Sequence, residues 1–417
     1  ENNENQRFKL NYIFDMGKDH DNRLKFAMDY LNFLGTDKMS SSEKAEEFYK
    51  LGCDLSVNCS ADKTQVTLSG LANNFAKSVK LFENILANVI ADEDALVELK
   101  SSKLKERSDA KLNRQTILWR AMANYAKYGK NSSFMNILSK QELESIESTD
   151  LLDIIHNLTT FKHRILYYGP DSIDKVSSIL EDLHINKSDL RVIPPRKEFI
   201  EKPMNKPMVY LVDYDMKQAE VMILSKGEKP NMNDLDRYSR IKFHNEYFGG
   251  GMSSIVFQEI RESKALAYSV YSTYTLPRDT NTSHYSMSYV GTQADKLTEA
   301  MLAISKLLDE MPEAESNMRN AQEAIEQQIR TERITKSKVL SEYEKASKLG
   351  IYHDIRKDLY EAVQNFDMNT LKEFHNSHIS NGTRVVLVLG SKDNLDLNIL
   401  KQFGEIQHLT LEEVFGY

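Results

Sequence analysis

The order of elements repeats once along this chain, and the repeat constrains the fold more than any single residue does. The first half reads as strand, helix, helix, two strands, amphipathic helix, further helices and a closing strand. The second half follows nearly the same order, behind one extra strand. Met252-Ser253 stands 213 positions after Met39-Ser40, and Gly291 stands 221 positions after Gly70. Solenoid repeats are about 20–50 residues long, so a spacing of this size implies two similarly built domains. Both are expected to be α+β, with helices packed on an antiparallel or mixed β-sheet.

The periods of the individual segments support that reading. Val66 and Leu68 alternate with Gln65, Thr67 and Ser69, the two-residue period of a half-buried strand. Phe75, Val79, Phe82, Leu86 and Val89 fall on one face of a helix. Residues 8–14, 54–60 and 165–168 complete the strands of the first half. Helices are expected at 22–34 and from 42, with Ser41 or Ser42 as cap and Gly52 as stop. In the second half strands fit 208–212, 220–224, 267–275, 283–290 and 384–389. Helices fit 232–248 and 253–263, followed by one that places Leu297, Met301, Ile304 and Leu308 on one face.

Four of the eight prolines, Pro194, Pro195, Pro203 and Pro207, stand in or beside the charged stretch 191–206. Proline withholds a backbone donor and disfavours helix in the residue before it. This stretch is therefore expected to link a first domain, 1–190, to a second, 207–417. A net charge of −8 with scattered Lys and Arg leaves no basic stripe for nucleic acid. No apolar run approaches the ~20 residues of a membrane span, and the polar start at 1–6 has no signal-peptide core. A soluble protein is expected, cytoplasmic or periplasmic. Cys53 and Cys59, the only two cysteines, would lie roughly 20 Å apart along one strand, too far for a disulfide. No Gly-x-Ser-x-Gly, Walker A or Rossmann fingerprint is present.

The most informative stretch runs from Tyr247 to Ser272, YFGGGMSSIVFQEIRESKALAYSVYS. Gly249, Gly250 and Gly251 break one helix, and Ser253 or Ser254 starts the next. Phe257 and Ile260 form its apolar side, Arg261 falls near its end, and Tyr268 opens a strand. Physics alone allows Arg261 a surface ion pair and Tyr268 a place in a core. The stretch also resembles the second domain of the pitrilysin/insulinase-type zinc metallopeptidases, which include the mitochondrial processing peptidase. Their pattern is a glycine-rich turn, Met-Ser-Ser, a short helix, an Arg and, seven residues on, a Tyr in a Leu-Gly/Ala-Tyr-x-Val setting. Here it reads Gly249 to Ser254, Phe257, Arg261, Leu266-Ala267-Tyr268 and Val270.

The resemblance implies a protein built from two halves, each of two related domains. The catalytic half holds zinc through His-x-x-Glu-His on a helix and a distant Glu. The other half closes over it, and its Arg and Tyr reach the bound peptide. Counted back from Gly35-Thr36, the histidine positions of this chain are Phe26 and Tyr30, and the base position is Asp29. The distant Glu would fall near Leu104 or Lys105, where no carboxylate stands. The resemblance thus identifies a non-catalytic half, processing-peptidase-like and in the C-terminal position, with no metal of its own and zinc in its catalytic partner, fused upstream or separate. Arg261, Tyr268 and Phe257 are its expected peptide-binding residues, and peptide or unfolded polypeptide its substrate. The alternative is a non-enzymatic scaffold or binding subunit of the same family. Outside this pattern, His375 and His378 are expected on the surface and His244 and His163 in structural roles. Residues 313–338 read as a solvated helix face, and Trp119 reads as core.

Overall fold

A computed structural model describes residues 4–184, 189–277, 279–335 and 338–417. Residues 1–3, part of the polar start, lie outside the described residues, as do 185–188 of the expected first domain and 336–337 of the charged run. The first sheet contains β1 (Arg7–Phe14), β2 (Asp54–Cys59), β3 (Thr64–Leu71) and β4 (Arg164–Tyr168), all antiparallel, in the order β2-β3-β1-β4. The second contains β5 (Met208–Asp213), β6 (Gln218–Lys226), β7 (Ser269–Tyr274), β8 (Tyr285–Gln293), β9 (Arg384–Gly390) and β10 (Glu405–Leu409). Its order is β10-β5-β9-β6-β8-β7. Within it, β7-β8-β6-β9 is antiparallel throughout and copies the order of the first sheet. The repeat in the sequence is therefore a repeat of topology. β5 and β10 extend the second sheet beyond β9 in parallel pairing, which makes it mixed.

Burial explains why the strands of the two sheets read differently. In β1 the face carrying Phe8, Leu10, Tyr12 and Phe14 packs against Phe75, Val79 and Phe82 of the helix Phe75–Asn88. The Phe8 and Phe75 rings meet edge to face at 4.9 Å. The opposite face carries Arg7, Lys9, Asn11 and the buried Ile13, and Asn11 Oδ1 accepts from both Thr67 Oγ1 and Gln65 Nε2 at 2.9 Å. The central strands of the second sheet are covered on both faces, so β6 and β9 are apolar nearly without alternation. Val221, Ile223, Val386 and Val388 face the larger core. Met222, Leu224, Leu387 and Leu389 face a smaller core built by Ile117, Leu118, Ala121 and Met122.

That smaller core crosses the expected domain boundary. The helical segment Thr116–Met122, continued by Ala123–Tyr128, belongs to the first half in sequence but covers the second sheet. Trp119 on this segment stacks on Tyr271 at 5.3 Å and lies 5.0 Å from Tyr289. The stretch 191–206 is also fastened down. Arg191 N–H donates to Thr160 O (2.8 Å), Lys197 N–H to Asp19 O (2.8 Å) and Lys202 N–H to Lys127 O (2.7 Å).

Two helices place the positions compared with the zinc motif. Leu24–Leu31 carries them, and Ser41–Lys50 supports it from behind. The cap of the second helix is Ser40, not Ser41 or Ser42. Of the three serines only Ser40 has a carboxylate three residues on, and Glu43 completes a capping box with it. Lys44 on this helix is buried and donates to the carbonyls of Leu31, Asn32 and Leu34 at 3.3, 3.2 and 2.5 Å. Its ammonium closes the C-terminal end of Leu24–Leu31, and burial lowers its pKa to about 8. Among the described residues no helix is long and apolar enough to cross a membrane.

Candidate functional site

On the helix Leu24–Leu31 the side chains at the three motif positions are all engaged. Phe26 is buried in the first core. Tyr30 is fully buried, and its hydroxyl donates to Asp92 O (2.8 Å) and accepts from Asp92 N–H (2.9 Å). It thereby fixes the start of the neighbouring helix Glu93–Ala110, which Asp92 caps. Asp29 lies between two ammonium groups, Lys103 at 3.1 Å and Lys25 at 3.4 Å.

At the distant position, expected near Leu104 or Lys105, no carboxylate stands. The neighbouring Lys103 faces Asp29 across the helices. A carboxylate does stand nearby, Glu106, but Lys103 binds it at 2.9 Å. These residues do not suit zinc. Phe26 offers no donor atom, the Tyr30 oxygen already has two backbone partners, and the ammonium beside Asp29 would repel a dication. Among the described residues no three His, Cys, Asp or Glu are grouped to hold a metal ion. Cys53 and Cys59 are buried free thiols, and burial raises the pKa of both.

The glycine-rich stretch is built by the second half. The helix Leu235–Asn245 continues as wider, π-helical turns over Glu246–Gly250. There Gly249 meets β7: a Cβ at this residue would lie 2.2 Å from the Ser272 carbonyl oxygen. Only glycine permits that approach. We expect Gly249→Ala to destabilise the fold by about 2 kcal/mol through overpacking, read as a lower urea midpoint with unchanged slope. An unshifted midpoint would mean that this contact gives way easily.

The next helical turns, Phe257–Ser263, bury Ile260 and leave Arg261 at the surface. The Arg261 guanidinium lies 4.8 Å from the Phe257 ring, and its Nε is 3.8 Å from Glu262. The turns end at Ala265, which takes a left-handed conformation at φ 50, a position that costs a residue with a Cβ roughly 1–2 kcal/mol. Tyr268 then joins the sheet, its N–H donating to Gly291 O at 2.9 Å. Its side chain is 55% exposed, which excludes the core reading allowed by its sequence setting. Its hydroxyl accepts a hydrogen bond from Gln293 Nε2. The structure thus brings Phe257 to Arg261 on the helical turns, and Gln293 at the end of β8 to Tyr268 just before the edge strand β7. Nothing in the sequence singles out Gln293, since its pairing with Tyr268 depends on the β7–β8 register.

The histidines need one correction. His375, expected on the surface, is fully buried. Its Nδ1 accepts from His244 Nε2–H and its Nε2–H donates to Leu308 O, both at 3.1 Å. Spacing alone does not reveal this, because His375 ends the helix Met368–His375 on the same side as Leu371 and Phe374, the side that packs on Leu235–Asn245. His378 is half-buried beside Phe374. His163 is bonded to His184 at 3.0 Å. Among the described residues of the charged run only 315–331 form an α-helix, Glu315–Thr331, which buries Met318, Ala321 and Ile325 and leaves most of its charges in water.

Comparison with known proteins places these features in a family. The model of the insulinase peptidases (Peptidase family M16) matches residues 24–136, and that of the Peptidase M16 inactive domain matches residues 165–323. A protein of Rickettsia felis described as a zinc protease is 25% identical over 340 residues, spanning 76% of this chain and 79% of that one. The structure of a peptidase M16 inactive domain from Pseudomonas fluorescens superposes with a TM-score of 0.71 at 18% identity, covering 93% of both chains. The periplasmic protease PqqL of Escherichia coli gives 0.72 at 12% identity over 93% of this chain but only 43% of its own. With two models of one family matching residues 24–136 and 165–323, the same fold in solved relatives and the Gly249–Val270 pattern in place, the chain belongs to the pitrilysin/insulinase family of zinc metallopeptidases.

Proposed function

We propose that this chain is the non-catalytic half of a zinc metalloendopeptidase, closing over a catalytic half and helping to bind and orient the peptide. The observation that carries the proposal is the state of the motif positions. Phe26 is core, Tyr30 is tied to Asp92, and Asp29 lies between Lys25 and Lys103. None of the three is free to act on a peptide. The match of the inactive-domain model to residues 165–323 supports the same reading. So does the proportion of PqqL that a chain of this size covers. In this reading Arg261 orients the peptide by a charge-assisted hydrogen bond, Tyr268 donates to the scissile carbonyl, and Phe257 lines the pocket. The catalytic half, fused upstream or separate, carries the His-x-x-Glu-His segment.

The test has two stages. The purified chain, dialysed without chelator, is expected to carry far less than one zinc per molecule and to leave a quenched peptide uncut. Mixed with the half that carries His-x-x-Glu-His, it is expected to form a complex that cuts. One tightly held zinc in the chain alone, or peptidase activity that survives repurification, would overturn the proposal. A complex that forms but gains no activity from this chain would favour a scaffold role.

A further inference from the structure

Beside Phe26 and Asp29 a cavity of about 320 Å³ opens between the helix Glu93–Ala110, the segment Thr116–Met122, the loop at 134–138 and the last helix, Leu411–Phe415. Phe26, Phe134, Leu138 and Phe415 give it apolar walls. An engineered cavity of ~150 Å³ accepts benzene, so this one has room for an aromatic side chain and a polar group attached to it.

The charges around it are unevenly matched. The Lys18 ammonium is held by Asp19 (3.1 Å) and by Ser133 and Asn136. Lys25 and Lys103 are paired with Asp29 and Glu106. Two arginines remain. Arg107 donates from Nη2 to Leu138 O at 2.6 Å, while its Nη1 is buried with no hydrogen-bond partner among the described residues. Arg120 stands at the rim with its guanidinium 5.8 Å from the Phe134 ring. Among the described residues neither arginine forms an ion pair. Arg107 also lies 5.3 Å from the Tyr417 ring. A buried N–H donor left without an acceptor is costly, and a guanidinium is shaped to receive the two oxygens of a carboxylate.

We propose that this cavity binds a carboxylate borne on an apolar group, with Arg107 and Arg120 on the carboxylate and the aromatic walls around the rest. The free C-terminus of a peptide ending in a large apolar residue has this chemistry, and so does a small aryl-alkanoic acid. The assignment stands on the cavity alone and holds whether or not the chain pairs with a catalytic half.

The experiment titrates the chain into a dye-labelled Ala-Ala-Phe peptide with a free carboxylate and reads fluorescence anisotropy. The same peptide as its C-terminal amide is run beside it, and 3-phenylpropanoate is added as competitor. Saturable one-to-one binding is expected, at least ~tenfold weaker for the amide, since a hydrogen bond to a charged group is lost. Competition by 3-phenylpropanoate at concentrations comparable to the peptide points to a small acid as the occupant. Competition only at far higher concentration points to a peptide terminus. Arg120→Gln, at the rim, is expected to weaken binding about tenfold without moving the melting curve. Arg107→Lys keeps a donor for Leu138 O but loses the fork, and it should weaken binding similarly. Equal binding of acid and amide, no saturation at millimolar protein, or indifference to both substitutions would overturn the proposal.

Discussion

Tyr268→Phe, introduced into the proposed assembly with a catalytic half, is expected to lower kcat about 10²–10³-fold with little change in KM. Peptide hydrolysis places negative charge on the former carbonyl oxygen, and a phenol aimed there stabilises the transition state more than the ground state. Losing one such donor typically costs roughly 3–4 kcal/mol. The surroundings of Tyr268 suit this role. Its oxygen already accepts from Gln293 Nε2, which leaves its own proton to be donated outward. Its ring is more than half exposed, so removing the hydroxyl should leave the melting curve in place. Gln293→Leu should give a smaller loss than Tyr268→Phe, because it frees the phenol to rotate without deleting the donor. Arg261→Ala should lower kcat/KM partly through KM, since its guanidinium would hold substrate in both states. Steady-state kinetics on a quenched peptide separates these patterns. Near-normal rates for both Tyr268→Phe and Arg261→Ala would leave the scaffold role as the better reading.

Most of the fold was legible because its determinants are local or periodic. The alternation through Val66 and Leu68 gave a strand, and the Phe75-to-Val89 stripe gave a helix, both close to where the structure has them. The order of those elements foretold a doubled topology. What escaped the reading depends on contacts between distant segments. β10 carries only Leu409 as a buried residue, so nothing in its pattern marks it, and it exists because β5 offers a parallel edge. Thr116–Met122 reads as a helix of the first half, but its apolar face is completed only by the second sheet. The glycines were legible as a break, whereas the contact of Gly249 with Ser272 is a tertiary fact. At the motif positions the identities of Phe26, Asp29 and Tyr30 were plain. That Lys103 should neutralise Asp29 required knowing how two helices face each other. Arg107 and Arg120 carried no signal at all, because an unpaired arginine looks like any other until the cavity around it is seen.

Mild acid is expected to destabilise this chain before most of its carboxylates titrate, and His375 should account for a measurable share. In the folded protein His375 and His244 each hold one proton in a fixed arrangement. His244 Nε2–H donates to His375 Nδ1, and His375 Nε2–H donates to Leu308 O. The remaining nitrogen, His244 Nδ1, is buried without a partner among the described residues, and Phe248 and Phe374 lie against the His244 ring at 5.2 and 4.9 Å. A further proton has no acceptor to point at. Burial therefore lowers His375 to about 4; the Leu308 carbonyl opposes the shift, Arg384 adds to it and Asp309 opposes it. His244 is pushed well below 6.5 by burial, then by His375 and His378. In the unfolded chain both titrate near 6.5. Above that pH neither group affects stability. Between 6.5 and 4 the unfolded chain binds more protons than the folded one, so stability falls as the pH falls. At ~1.4 kcal/mol per pH unit, His375 alone removes about 2 kcal/mol at pH 5 and about 3 at pH 4, and His244 acts in the same direction. Urea midpoints should be level from pH 8 to 7 and decline below 6.5. His375→Gln retains a donor for Leu308 O, and its decline should be shallower by about one proton. Midpoints that stay level from pH 7 to pH 5, or a His375→Gln curve parallel to the parent, would show that the buried pair takes up protons without cost.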